Sequence, residues 1–595
     1  MAGTVPRGGL NDPVLEGEEK RLTVREPRAV GTPLDIEPEA HRTPLPGLRE
    51  GAVVFAIAFV AYFAIGYWFT INQHVVVFDA LDRLTRALLV WHNDPPKLAA
   101  IGFIFPPLST AMFLPFAAIK PIATSLIAIP LTTSICAATA MTFLDRTLAR
   151  CDVPLPLRVP LLLAFGLNPM WVFYAGNGMS EALYSAFLAF SLYSFVSWYA
   201  TTEPRYLIGS GFGVAFLIVT RYAFIIWAAL LAVLIGVALV RRRASRIEVE
   251  GSVVAFAAPV VYALALWILF NALIVGDPFG WLNTTTSDQA VNASGAVQHG
   301  SVAFNEISKR LLELNVGVFP LALIAVPALV VTFLSQRNDM ALWLASFIVL
   351  GIVIIGVHAY ASQDEGLLTL RDSMPMFVAS LVGAAWVYRS FEGFRPIVWA
   401  VSLALLVINL YTAWRAMDTY PFQSMEQAFV RTVKTGESQE GMSSRGGFTV
   451  GIGPEAQMAE YVKDHVSGKN QILTDNAQTF GVILLTGRPQ IFYDRIDKGD
   501  AAWNDTLTRP NGKVAYMLMN RNRASGDLIT ERYPNADKGT EKIGLTPVFR
   551  TDRYLLVKVA KAKPTASTTA TTATSGGATS TTPTGTSSAG GVSNP

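Results

Sequence analysis

The sequence predicts an α-helical polytopic membrane protein with an α/β domain after its last span. Three observations carry that prediction. The 595 residues are 51% hydrophobic and only 15% charged, with mean hydropathy +0.38, whereas water-soluble domains carry about 25% charged residues. Apolar runs of spanning length recur from residue 51 to residue 416. After Ala416 the composition turns polar and short helical and strand-like patterns alternate. The net charge of +3 is small and dispersed, which excludes nucleic acid as a partner. Cys136 and Cys151 are the only cysteines, so a disulfide framework or a cysteine metal site is not expected.

Taken in order, residues 1–50 are rich in Pro, Glu and Arg and are expected to be a disordered cytoplasmic leader. The first apolar run starts near Gly51 after that leader, so a cleavable signal peptide is not expected. Apolar runs fall at 51–71, 122–144, 158–175, 179–200, 206–220, 222–240, 252–275, 313–335, 340–360, 372–389 and 396–416. They make the 51–416 segment a transmembrane domain of about 11–13 helices. Arg241, Arg242, Arg243 and Arg246 mark one cytoplasmic edge, and Arg146, Arg150 and Arg158 mark another. These put the N-terminus inside the plasma membrane and everything beyond 417 outside it. The 102–120 stretch is apolar but carries Pro106, Pro107 and Pro115. A single crossing there would flip every later side, so an interfacial or re-entrant segment is expected. Residues 417–450 read as a linker and 451–561 as an extracytoplasmic α/β domain. Within that domain Asp475, Asp494, Asp497 and Asp500 sit near predicted element ends, where turns and caps explain them and glycan contact is the minority alternative. Residues 562–595, built of Thr, Ser, Ala, Gly and Pro, cannot form a core and read as a disordered tail.

The most informative stretch follows the first span. Asp79, Asp82, Arg83 and Arg86 recur at helical spacing between Phe78 and Trp91, with Leu81, Leu84, Leu88 and Leu89 flanking them. A salt-bridged surface helix is the bland explanation. The functional one is an ionised carboxylate beside a cation at the membrane surface, able to take a proton from a hydroxyl. Four further polar patches reach the same side in the predicted topology: Asn177 to Glu181, Thr220-Arg221-Tyr222, Gly276-Asp277-Pro278, and His358 with Gln363, Asp364, Glu365, Arg371 and Asp372. Glu181 at a helix start has a dipole explanation, and Asp277 a turn explanation. Asn283-Thr284-Thr285 and Asn292-Ala293-Ser294 match glycosylation acceptors by chance.

These residues carry a resemblance. A long first extracytoplasmic loop with an Asp on a membrane-surface helix resembles the GT-C glycosyltransferases, protein O-mannosyltransferases and the lipid A aminoarabinose transferase among them. The series Asp79-x-x-x-Arg83, Asp94-Pro95, Gly102-Phe103-Ile104-Phe105-Pro106-Pro107-Leu108, Asn168-Pro169, Glu181-Ala182-Leu183-Tyr184, Thr220-Arg221-Tyr222, Gly276-Asp277-Pro278 and Arg371 with Met374-Pro375 resembles a set of bacterial, largely actinobacterial, GT-C-like membrane proteins. It spans about residues 50–560. Phe78 stands where many of them carry Gly, and Phe105 where they carry Trp.

The resemblance implies transfer of a sugar from a polyprenyl-phosphate donor to a cell-envelope glycan, lipid or protein. The donor would enter from the bilayer. Asp79, with Asp82 as second candidate, would be the catalytic base. Arg83, Arg221 and Arg371 would meet the donor phosphate, with Glu181 and Asp277 at the substrate. Some members use a divalent metal, but no His/Asp cluster here has ligand spacing, so none is expected to be obligatory. The sugar stays open among mannose, arabinofuranose and galactofuranose. A flippase of lipid-linked sugars and a non-catalytic envelope-assembly protein are the alternatives. The first is disfavoured because the charges sit at span ends and no internal repeat is seen.

Overall fold

The computed structural model describes residues 47–102, 106–274, 276–279, 281, 304–361, 368–420, 424–443, 449–521, 526–541 and 543–560. The leader, Phe103 to Phe105, both Asn-x-Ser/Thr sites, Gln363 to Glu365 and the tail lie outside the described residues, as do the side chains of Asp497 and Asp500.

The chain is a multi-pass helical bundle capped at one end by an α/β domain. Helix α1 spans Leu48–Tyr67, α2 Phe78–His92, and three single turns follow: α3 Leu108–Ala111, α4 Leu114–Ala117 and α5 Lys120–Thr124. The bundle continues with α6 Ala128–Arg150, α7 Leu155–Gly166, α8 Pro169–Tyr174, α9 Ser180–Thr201, α10 Pro204–Ile218, α11 Phe224–Arg241 and α12 Arg246–Ile274. It closes with α13 Phe304–Val318, α14 Leu321–Gln336, α15 Asp339–Ala361, α16 Met374–Ser390 and α17 Arg395–Thr419. Among the described residues, six helices are long and apolar enough to cross a membrane by themselves. Leu155–Gly166, Pro204–Ile218 and Leu321–Gln336 are apolar but shorter.

Each expected apolar run falls on helix, with three differences. The second span starts at Ala128 rather than 122, because Leu126 takes a left-handed conformation and splits α5 from α6. The 158–175 run is two helices broken at Asn168-Pro169, and the 313–335 run is two helices broken at Phe319-Pro320. Proline has no N–H for the preceding turn, so both breaks fall where the sequence places one. The breaks are joined: Asn168 donates to Asn409 of α17 at 2.9 Å, and Asn409 donates to the Gly317 carbonyl at 3.2 Å. The 102–120 stretch does not cross. Its short turns pack on α2, and Leu108 N–H meets the Val219 carbonyl at 3.1 Å, at the end of the bundle where Arg221 lies.

Charge is sorted by end. At the end away from α2, Arg158 pairs with Glu50 at 2.8 Å and Asp145 at 3.2 Å, Arg389 with Asp152 at 2.8 Å, and Asp339 with Arg241 at 2.9 Å and Arg242 at 3.2 Å. Close backbone approach fixes the other end. A Cβ on Gly66 would stand 2.9 Å from the Gly176 Cα, so α1 and the α8–α9 turn touch main chain to main chain.

The 417–450 segment has more structure than a linker. It holds α18, Ser424–Thr435, and an antiparallel pair, β1 Glu440–Ser443 and β2 Thr449–Gly451. The α/β domain follows: α19 Gly453–His465, β3 Ile472–Thr474, α20 Asn476–Thr486, β4 Phe492–Tyr493, α21 Arg495–Thr508, β5 Tyr516–Asn520, α22 Leu528–Arg532, β6 Leu545–Arg550 and β7 Tyr554–Val559. Its sheet runs β4-β3-β5-β7-β6, with β4, β3 and β5 parallel and the last pairs antiparallel. Asp475 and Asp527 cap α20 and α22, the local role that turn chemistry favours.

Candidate active site

Helix α2 is not a solvated surface helix. Leu81, Leu84 and Leu88 are buried with Phe113 and Ala117 of the first loop and with Phe480 and Leu484 of α20. The polar face is also covered: Asp82 is 8% and Arg83 7% exposed. Asp79, in the first turn where the helix dipole favours a carboxylate, keeps its side chain 39% exposed. Asp82 is engaged by Arg86 at 2.8 and 3.0 Å. Among the described residues Asp79 has no such partner: Arg83 stands 4.0 Å away and Arg371 3.9 Å, beyond hydrogen-bond length. Of the two carboxylates proposed from sequence, the structure leaves Asp79 open and ties up Asp82.

The bundle supplies the facing wall. Glu181 lies in the first turn of α9, fully buried. It is placed there by Gly178, whose positive φ of 81° suits glycine and whose Cβ would stand 2.7 Å from the Ala80 Cβ of α2. Arg221, in the turn between α10 and α11, bridges Glu181 at 2.7 Å and Asp372 at 2.9 Å and lies 4.9 Å from the Tyr184 ring centre. Arg371 sits in a 3-10 turn ahead of α16, and its carbonyl accepts from the Tyr184 hydroxyl at 3.1 Å. Burial works against the Arg371 cation, yet Asp372, Glu181 and Asp79 together hold its pKa above the ordinary value. Burial lowers that of Arg83, with Asp79 and Glu181 opposing. Both stay cationic, since guanidinium cannot lose its proton in a protein. Among the described residues, Glu181 Oε2 and Arg371 Nε are buried without a hydrogen-bond partner.

The structure therefore unites Asp79, Arg83, Glu181, Arg221 and Arg371. It does not bring Asp277 to them: Asp277 is exposed and accepts from the Phe279 N–H of its own turn at 2.9 Å. His358 is exposed on α15. Sequence reasoning missed Glu426. This residue of α18 is 1% exposed, receives the Tyr174 hydroxyl on one oxygen and has no partner on the other. Burial raises its pKa, and Arg371 and Glu181 both act on it. A signal existed: Met425, Phe429 and Val430 flank Glu426 on what is an amphipathic helix, so Glu426 falls on the apolar face. Among the described residues no three His, Cys, Asp or Glu side chains gather as metal ligands.

The geometry is one exposed carboxylate between a buried guanidinium group and a half-buried one, at one end of a helical bundle. No family model and no curated protein matches the sequence. Solved structures do match the fold. ArnT from Cupriavidus metallidurans bound to undecaprenyl phosphate aligns over 86% of this chain and 98% of its own, at TM-score 0.54 and 11% identity. Its apo form aligns over 85% and 98%, at TM-score 0.50 and 12% identity. The apo Archaeoglobus fulgidus oligosaccharyltransferase aligns over 80% of this chain and 70% of its own at TM-score 0.44 and 10% identity. The ArnT likeness shows that the chain shares the fold of that protein over most of its length.

Proposed function

We propose that this chain moves a sugar from a polyprenyl-phosphate donor to a hydroxyl-bearing acceptor of the cell envelope, on the extracytoplasmic face of the membrane. The observation that carries the reading is Asp79, exposed and flanked at 3.9–4.0 Å by Arg83 and Arg371 without being hydrogen-bonded to either. Arg371, whose Nε is buried without a partner among the described residues, suits an anionic group beside Asp79, and a phosphate accepts bidentate guanidinium bonds. ArnT, whose structure holds undecaprenyl phosphate, supports a lipid phosphate in this fold.

In the proposed step the acceptor oxygen forms a bond to the anomeric carbon. The bond from that carbon to the phosphate oxygen breaks, and its electron pair leaves with the polyprenyl phosphate. Asp79 takes the acceptor proton. Arg83 and Arg371 stabilise charge on the leaving phosphate, and Arg221, anchored by Glu181 and Asp372, holds the wall behind Arg371. The route uses side chains alone; no metal ligand set is assigned. Mannose and the pentofuranoses are equally served by this chemistry. Lipid profiling of a strain lacking the chain tests the reading. One polyprenyl-phosphate sugar should accumulate and fall again on complementation with wild type but not with Asp79→Asn. An unchanged lipid profile, or full complementation by Asp79→Asn at normal expression, overturns it.

A further inference from the structure

The proposed site is assembled from two bodies. Arg221 grips Glu181 and Asp372 at 2.7 and 2.9 Å within the bundle wall, and Arg86 grips Asp82 at 2.8 Å within α2. Between the two, Ala80 of α2 packs closely on Gly178, while two polar contacts are longer. Arg371 stands 3.9 Å from Asp79, and Arg83 Nη1 3.9 Å from the Met179 sulfur. On its other side α2 is held by the α/β domain at short range. The Phe78 ring lies 4.2 Å, edge-on, from the Phe480 ring of α20, and the Thr85 hydroxyl, 2.8 Å from the Leu81 carbonyl of its own helix, shares its proton with the Phe480 carbonyl at 3.2 Å. The approach to α2 is stitched in the same way: Val77 bridges Val450, Gln439 N–H meets the Gln73 carbonyl at 2.8 Å, and Gly451 N–H the Val76 carbonyl at 3.4 Å. Leu89, Val90 and Ala100 of the first loop enter the α/β domain's own core, with Met458, Val462, Ile483 and Phe492.

We infer that the α/β domain carries the base: Phe480, through Phe78 and Thr85, is a positioning residue that sets where Asp79 stands opposite Arg371. Phe78 adjoins Asp79 in the chain, so a shift of its ring moves the first turn of α2 directly. The aromatic pair fixes direction as well as distance, because edge-on rings have a preferred mutual angle. The domain thus acts on the chemical step without supplying an atom to it. The inference rests on the proposed transfer reaction for its kinetic readout, and it has a structural readout that does not.

The test uses the full chain in nanodiscs. The substrate is the polyprenyl-phosphate sugar fraction extracted from a strain lacking the chain, and undecaprenyl phosphate is the binding probe. Phe480→Ala should cut turnover at saturating donor about tenfold, the size of effect a small misplacement brings. Donor KM and undecaprenyl phosphate affinity should stay within about twofold, the pattern of an interaction made only in the transition state. Phe480→Leu, which refills the space without the ring's preferred angle, should restore only part of the turnover. Amide hydrogen exchange should rise over 78–92 in Phe480→Ala and stay unchanged over 180–201. Thr85→Val should move both readouts less and in the same direction, and it decides the matter if Phe480→Ala does not fold. Wild-type turnover and exchange in these variants overturn the inference. So does a fall in undecaprenyl phosphate affinity that keeps step with turnover, the mark of a general loss of structure. If wild type consumes none of the extracted lipid, the transfer reading falls, and the exchange over 78–92 still decides whether Phe480 positions α2.

Discussion

A carboxylate serves as a base only if it is ionised, reachable and not already spent on a neighbour. Asp79 meets the last two conditions and Asp82 fails them: Asp79 is 39% exposed on its side chain, whereas Asp82 is 12% exposed and held by Arg86 at 2.8 Å. Asp79→Asn should lower sugar transfer by about 10²–10⁴-fold, the range for loss of a general base. Asp82→Asn should leave the rate within about tenfold of wild type, since it weakens one internal pair of α2. Rates on the extracted lipid-linked sugar, compared at matched expression, check both. Equal losses in the two variants would remove the distinction between them. Glu426 gives a second residue-scale expectation. Its pKa is raised by burial and the Tyr174 hydroxyl meets one of its oxygens. An amide at that place keeps an acceptor oxygen for the Tyr174 hydroxyl, so Glu426→Gln should keep stability and activity near wild type. Glu426→Leu strands the Tyr174 hydroxyl and should cost about 1–3 kcal/mol in a thermal or denaturant unfolding measurement.

Elements were legible wherever one physical signal dominated. The spans from Phe224 to Ile274 read directly from hydropathy, and the α/β character of 451–561 from its alternating short helical and strand-like patterns. The helix of Asp79 read from its charge spacing, but its burial did not, because sequence periodicity cannot say that α20 covers its apolar face and the bundle wall its charged one. Glu181, Arg221 and Arg371 were found as isolated polar groups at span ends. Their mutual contacts depend on Gly178 and on the turn before α16, which only the packing shows. Glu426 was missed because a polar stretch was read as a linker, and Asp277, read as a substrate contact, shows only the local turn bond to Phe279 among the described residues. At this scale the capping aspartates also make a pH prediction. Burial first, and then Asp475 nearby, push the Asp527 carboxyl from 3.8 up to about 6, against the hydrogen bonds it accepts. Between those values the folded state binds more protons than the unfolded one, so stability should fall as pH rises from 3.8 towards about 6. Thermal melting of the full chain across that window should show the slope, and Asp527→Asn should flatten it. A slope of the same size in Asp527→Asn would place its origin elsewhere.

At the scale of the whole molecule the question is which face of the membrane the site occupies. The structure separates two ends. One holds Asp79, Glu181, Arg221, Arg371 and the α/β domain. The other gathers Arg150, Arg158, Arg241, Arg242 and Arg389, several of them paired to single carboxylates. Cationic ends stay in the cytoplasm because arginine resists translocation across the membrane potential. That rule predicts the domain and the base outside, the side on which the proposed reaction needs its donor. Because α3, α4 and α5 stay at the site end, the 102–120 stretch leaves this parity intact. Single cysteines test the arrangement directly. Trp91, Ser245 and Glu460 are exposed positions in the first loop, the arginine-rich turn and the α/β domain. Cys151 is buried and Cys136 half-buried within α6, so a background without them is simple to build and gives clean labelling. In intact cells an impermeant maleimide should label Trp91→Cys and Glu460→Cys and leave Ser245→Cys untouched until the membrane is opened. Labelling of Ser245→Cys in intact cells would invert the bundle. Asp79 would then face the cytoplasm, and a sugar donor delivered outside could not reach it.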